Sequence, residues 1–297
     1  MILVAGATGV LGSEIARRLL AGGEKVRAMV RTTSNPDAVA ALKKGGAQIV
    51  VADLKEPASL DVACRGVDAV ISSVTAITTA KAGDSLASTD GAGNRNLTDA
   101  ASRAGVKKFV FVSFDSRYVP DAPLADAKQD AERHLEESGL DYTILHLSLF
   151  CESWLGPMLF ADPVACTARI YGDGNHKLRY ITVGDVAQLA IQSLENPAAQ
   201  RAVVPFGGPE EITQREALAM FEKATGKKFA VTVLPEASLE AQWKAAQDPF
   251  EKSFAALFLG IARGLDSGIN PPFDKFPMKM TPASQWIESQ ANAAAAR

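Results

Sequence analysis

The chain has 297 residues, 47% of them hydrophobic and 22% charged, with a formal net charge of −3. That is an ordinary soluble globular composition, and its slight acidic balance gives no electrostatic case for nucleic acid or an anionic membrane as partner. No apolar run reaches the roughly 18 residues of a membrane span, and an apolar strand begins at Met1 with no signal peptide ahead of it, so a cytoplasmic protein is expected.

Short apolar runs predict strands over Ile2–Ala5, Val26–Val30, Gln48–Val51, Ala69–Ile71, Lys108–Ser113 and Tyr142–Leu147. They are continuous rather than alternating, which suits strands covered on both faces. Amphipathic segments between them predict helices over Ser13–Ala21, Pro36–Lys44, Pro57–Cys64, Ser85–Ala104 and Asp126–Ser138, several of them ending at glycine. Repeated βα units imply an α/β fold with a doubly wound parallel sheet. Ligands of such sheets bind beyond the carboxyl ends of the strands, at the switch point.

After about Phe150 the rhythm changes. Helices are predicted over Thr182–Glu195, Thr213–Thr225 (with a capping-box start) and Ser238–Leu259, and strands over Ala202–Phe206 and Phe229–Leu234. An irregular tail over Gly264–Met280 leads to a short helix, Thr281–Gln290, and a frayed end from Ala291. The expected organisation is a dinucleotide-binding domain over residues 1–150. A smaller α+β lobe over 151–297, partly interleaved with the sheet, would close over its edge as a substrate pocket.

The stretch Gly6-Ala7-Thr8-Gly9-Val10-Leu11-Gly12 stands between the first strand and the first helix. Strand, glycine-rich turn, helix is the arrangement that holds a dinucleotide pyrophosphate at the positive end of the helix. Gly6 would permit the tight turn, Gly9 the approach of the phosphates, and Gly12 the close packing of helix and strand. No acid ends the second strand to accept from a ribose 2′-hydroxyl; Arg31, Thr32 and Ser34 stand there instead. A guanidinium can pair with a 2′-phosphate, which favours NADP(H) over NAD(H). The alternative is a surface arginine. Lys55 either adds charge or is solvated. Asp53 either accepts from the adenine amino group, with Leu54 on the ring, or caps the helix that follows. Ser73, Val74 and Thr75 follow the fourth strand and would pass the nicotinamide side of the cofactor, or form a plain polar loop.

Val4 to Gly12 resembles the opening of the atypical short-chain dehydrogenase/reductases, and the NmrA-like and isoflavone-reductase-like groups in particular. The resemblance continues in Val50-Val51-Ala52-Asp53-Leu54, in Asp99 to Ser113, in Ser138 to Leu145 and in Tyr180 to Ala187. It implies a Rossmann domain of about seven parallel strands, NAD(P)(H) binding and a small C-terminal substrate lobe. It implies hydride transfer only where the catalytic residues are present. The lysine of the family's Tyr-x-x-x-Lys pair matches Lys128, but Leu124 stands at the tyrosine position and Phe114 at the serine position. The asparagine position of the wider superfamily falls on Asp90.

Without that tyrosine another group must donate the proton. Lys128 is the candidate, as in the isoflavone-reductase-like enzymes; the alternatives are a lysine that only binds the cofactor ribose, or a solvated one. Tyr118, beside Asp115 on the loop after the fifth strand, is a second candidate. Phe114, His146, Phe150 and Trp154 are candidates for lining the substrate pocket, against plain packing. Cys64, Cys151 and Cys166 are far apart and fit buried small residues better than a disulfide framework. No histidine has a partner at metal-ligand spacing, so no metal is expected. Two functions stand. One is an NADPH-dependent reductase of a small apolar or aromatic acceptor, a quinone, enone or carbonyl. The other is a non-catalytic NADP(H)-sensing regulatory or assembly protein with a protein partner. Either would be a monomer or homodimer.

Overall fold

The structure is a computed structural model; it describes residues 1–78, 80–119, 121–264 and 269–295, and of Tyr118 the backbone alone. Its first half repeats one unit: β1 (Ile2–Ala5), α1 (Val10–Ala21), β2 (Val26–Val30), α2 (Pro36–Lys44), β3 (Gln48–Val51), α3 (Pro57–Cys64), β4 (Ala69–Ser72), a π-helical turn (Leu86–Gly91) leading into α4 (Ala92–Arg103), β5 (Lys108–Ser113), α5 (Pro123–Glu137) and β6 (Asp141–Leu147). The second half holds β7 (Leu149–Phe150), α6 (Cys151–Trp154), β8 (Ala161–Asp162), β9 (Thr167–Tyr171), β10 (Lys177–Ile181), α7 (Val183–Gln192), β11 (Ala202–Phe206), β12 (Glu211–Thr213), α8 (Gln214–Thr225), β13 (Ala230–Leu234), α9 (Glu236–Ala245), α10 (Pro249–Ala262) and α11 (Ala283–Ala295).

Seven strands form one parallel sheet in the order β11-β6-β5-β4-β1-β2-β3, a Rossmann-type α/β arrangement. The order reverses between β1 and β4, so the crevice for a ligand opens beyond the carboxyl ends of those strands. β11 comes from the second half and pairs with β6, Ala202 opposite Thr143. Two three-stranded sheets, β12-β10-β7 and β13-β9-β8, are formed by strands of the second half.

Both sheet faces are dry, as continuous apolar strands require. One face packs Val4, Ile71 and Leu145 under Ile15, Leu19, Val186 and Leu189. The other packs Phe109, Phe111 and Ile144 under Leu60, Leu97 and Leu135. A further core gathers around Phe160, Tyr171, Phe221, Leu239 and Ile287 and takes in Val119, Ala122 and Ala125 from the first half.

Three expectations are corrected. The segment 85–104 is not one helix. Asn94 Nδ2 donates to the carbonyls of Thr89 and Asp90, and Gly91 at φ −85°, ψ −93° breaks the path. The segment 238–259 is two helices, because Pro249 disfavours a helical residue before it and Asp248 caps the new start through Phe250 N–H and Glu251 N–H. The last helix does not fray at Ala291 but runs to Ala295, since Ala283, Ile287 and Ala291 bury one face. The short strands β7 to β10 and β12 carried no readable period: they have two to five residues each.

Candidate functional site

Gly6 adopts φ +81°, and a Cβ at Gly12 would stand 2.2 Å from Gly6 O, so both glycines are required by the turn's own geometry. A Cβ at Gly9 would meet Gly6 O at 3.3 Å and nothing else within 4 Å. No side chain caps the start of α1, and Val10 beside it is 72% exposed. The first-turn N–H groups and the positive end of the helix dipole therefore face the crevice without an internal anion. That is the cradle a pyrophosphate needs. Ser73 Oγ donates to Ala5 O at 3.2 Å and packs against Gly6 and Gly12, so Ser73 supports the turn from behind. The backbone of Thr8 to Leu11 forms the turn and the first residues of α1.

Beyond β2 and β3 two cations converge. Arg31 Nη1 lies 2.7 Å from Asp84 Oδ2, and Lys55 Nζ lies 2.6 Å from Asp84 Oδ1. Lys81 N–H donates to Asp84 Oδ2 at 2.9 Å. Burial alone would push the Asp84 carboxyl up; the hydrogen bonds from Lys55, Arg31 and the Lys81 N–H hold it at about 2. Arg31 and Lys55 are thus both engaged by one carboxylate while keeping 29% and 31% of their side-chain surface exposed. Ser34 Oγ accepts from Arg31 N–H at 2.9 Å and shapes the turn, while Thr32 is exposed beside it.

Asp53 does not cap α3; the N-cap is Glu56, without a side-chain bond, and Asp53 Oδ1 accepts from Lys55 N–H at 2.9 Å. Leu54 is buried in the core, so close to α4 that a Cβ on Gly93 would stand 2.8 Å from Leu54 Cβ. It does not offer an open face to a ring in this structure. The close approach of the segment after β3 to Gly93 of α4 turns its side chain inward.

Lys128 is not solvated. Its ammonium, on α5, donates to Val74 O at 3.1 Å and Val112 O at 3.4 Å, lies 3.4 Å from Asp90 Oδ1, and stands 4.8 Å over the Phe111 ring. Asp90 Oδ2 accepts from Ala76 N–H at 2.9 Å. Both side chains are buried, so this is an internal ion pair at the carboxyl ends of β4 and β5. Thr75 Oγ1 accepts from Ile77 N–H in the same loop. One turn before Lys128, Leu124 is buried with Ala76 and Leu86, and its N–H donates to Ser253 Oγ of α10. A tyrosine at 124 would have to displace that packing.

The four residues expected to line a pocket fall in different packing environments. Phe114 and Trp154 pack on the core around Phe160 and Tyr171, Trp154 edge-on to Phe258 with ring centroids 6.1 Å apart. Phe150 packs on the sheet face beneath α1 and α7. His146 Nε2 meets Glu132 Oε2 at 3.1 Å, and Ser113 Oγ donates to Glu132 Oε1. Alternation along the strands explains the split: His146 points to the α5 side, and its neighbour Leu147 to the other. Tyr118 ends a 3-10 turn, Ser116–Tyr118, and its side chain lies outside the described residues. Asp115 is engaged by Arg117, whose hydrogen bond holds its carboxyl below the usual range. Cys64 and Cys151 are buried, and burial pushes the Cys64 thiol up to about 11. Cys166 is half-buried in a turn at φ +53°.

Sequence reasoning missed Asp84 and Glu132. Glu132 had a signal: it lies four residues after Lys128, on the same helical face. Asp84 had none, because a loop position says nothing of what it reaches.

Residues 1–280 match the model of the NmrA-like family, and the chain belongs to that family. It is 33% identical over 261 residues to the Photosystem II assembly factor Ycf39 of Synechocystis sp., covering 86% of this chain and 74% of that protein. It is 30% identical over 300 residues to the Isoflavone reductase homolog IRL of Zea mays, covering 96% and 92%. Among solved structures it is similar to the NADPH-dependent quinone oxidoreductase QOR2 of Escherichia coli complexed with NADPH, at a TM-score of 0.76 and 24% identity, covering 97% of this chain and 99% of that one. Among the described residues no helix is long and apolar enough to cross a membrane.

Proposed function

We propose that this chain binds NADP(H) and is an NADPH-dependent reductase of a small apolar or aromatic acceptor, a quinone, enone or carbonyl. The observation that carries this reading is Lys128: a buried cation at the carboxyl ends of β4 and β5, held by Asp90 and by Val74 O. A buried lysine held in one place suits it to meet a developing negative charge. The cradle at the start of α1 and the cations Arg31 and Lys55 support the dinucleotide, with Arg31 and Lys55 directed to its 2′-phosphate. A reduced nicotinamide, when bound, supplies the hydride. Lys128 then stabilises, and protonates, the acceptor oxygen that gains charge. Asp90 keeps the ammonium in place. The relatives named as reductases or oxidoreductases are consistent with this chemistry.

A second reading has its own support. Leu124 and Phe114 stand where the family's reductases carry tyrosine and serine, and the Synechocystis relative is named as an assembly factor. In that reading the cofactor is sensed and a protein partner is bound, with no hydride transferred. Mixing purified protein and NADPH with a panel of quinones and enones, and following the nicotinamide absorbance, separates the two. Turnover that disappears in Lys128→Ala with NADPH still bound is expected of the reductase. Tight NADPH binding with no turnover of any acceptor overturns it in favour of the sensor.

A further inference from the structure

Asp84 is held by a guanidinium, an ammonium and a backbone N–H: Arg31 Nη1 at 2.7 Å, Lys55 Nζ at 2.6 Å and Lys81 N at 2.9 Å. That is the donor set a phosphate monoester takes. The carboxylate is nearly inaccessible, with 2% of its side-chain surface exposed, while the two cations keep about a third of theirs, 29% and 31%. The place matters as much as the donors. Arg31 directly follows β2 and Lys55 lies beyond β3, next to each other in the sheet and on the far side of β1 from β4. Asp84 arrives from the opposite direction, on the segment that leaves β4. Between β4 and those cations lies the carboxyl end of β1, where a dinucleotide's adenosine half would lie. A tight turn presents the carboxylate: Asp84 N–H donates back to Lys81 O at 2.9 Å, and Gly83 supplies φ +81°. Lys55 Nζ also donates to Gly83 O at 3.3 Å.

We infer that Asp84 is a built-in occupant of the 2′-phosphate seat, a carboxylate of this chain that NADP(H) must displace from Arg31 and Lys55. The inference rests on the NADP(H) reading above and adds to it a residue that sets nucleotide preference. Two charges of one sign cannot share these two cations at close range without cost, so a 2′-phosphate of charge near −2 expels a carboxylate of charge −1. A nucleotide with a bare 2′-hydroxyl brings no such charge. It leaves Asp84 in place between the two cations. The acid missing from the end of β2 is thus supplied from the segment after β4, and Asp84 favours NAD(H) relative to what Arg31 and Lys55 alone would do.

The test is titration of the full chain with NADPH and with NADH, read by nicotinamide fluorescence, for the wild type and Asp84→Asn. Asparagine keeps the size and removes the charge, and Asp84 sits on a loop, so folding is preserved; a thermal melt checks this. The expected result is NADPH binding tightened by about tenfold or more in Asp84→Asn, with NADH unchanged or weakened. NADPH affinity that is unchanged or weaker in Asp84→Asn overturns the inference while leaving the NADP(H) reading intact. Equal tightening for both nucleotides also overturns it, since the carboxylate would then block the crevice without regard to the 2′ group. Failure of both proteins to bind either nucleotide removes the proposed function, and the inference with it.

Discussion

The two ends of the crevice carry the same kind of pair, a cation and a carboxylate, in opposite settings. At the β4–β5 end Lys128 and Asp90 are both buried, on α5 and the π-helical turn, and the lysine also meets two backbone carbonyls. At the β2–β3 end Arg31, Lys55 and Asp84 meet on loops, with the cations partly in water. The first pair cannot part without stranding a charge away from solvent. In the second, Arg31 and Lys55 keep about a third of their side-chain surface in water and stay solvated when the carboxylate moves away. The same chemistry thus gives a fixed post at one end and an exchangeable one at the other. A hydride acceptor needs the former, and a site that admits and releases a charged nucleotide needs the latter.

Breaking the fixed pair has the largest effect. Lys128→Met leaves Asp90 buried and uncompensated and is expected to cost about 3–5 kcal/mol of stability, measured by urea unfolding. Adding Asp90→Leu recovers a large part of it. If Lys128→Met alone unfolds like the wild type, the contrast between the two ends collapses.

The turn between the two ends comes next. Gly12→Ala puts a Cβ where only 2.2 Å separates it from Gly6 O. The turn must shift, at about 1–3 kcal/mol for overpacking, and dinucleotide affinity is expected to fall at least as steeply as stability in calorimetric titration.

At the exchangeable end, Arg31→Ala is expected to weaken NADPH by about 10- to 100-fold, the worth of a charge-assisted hydrogen bond, and NADH far less, with little change in the melting temperature. Equal weakening of both nucleotides would sink the 2′-phosphate assignment.

The smallest effect is one of pH. The Asp84 carboxyl titrates at about 2 in the fold, below its ordinary value near 4. A depressed carboxyl contributes stability that is fully present above about pH 4 and is lost as pH falls toward 2. The protection factors of amides 81–85, taken against the intrinsic exchange rate at each pH, are therefore expected to fall across that window in the wild type and to stay flat in Asp84→Asn. A wild-type response centred at higher pH would show that other carboxylates hold the segment.

The order of strands and helices in the first half was legible because each βα unit is written locally. Apolar runs set the strands, and prolines and glycines mark helix starts and ends, as at Pro36, Pro57 and Gly45. Gly6, Gly9 and Gly12 were legible for the same reason: their task is met within seven residues. The second lobe was harder to read, since strands such as Leu149–Phe150 and Ala161–Asp162 exist only through partners far along the chain.

What the sequence by itself determined is the parallel α/β framework, the glycine turn at its first strand, and the presence of Arg31 and Lys128 near a crevice. Only the tertiary structure decided what those side chains hold. Asp90 meets Lys128 across 38 positions and Asp84 meets Arg31 across 53. Such contacts leave no period, spacing or composition behind, because they are fixed by where the sheet brings separate loops together.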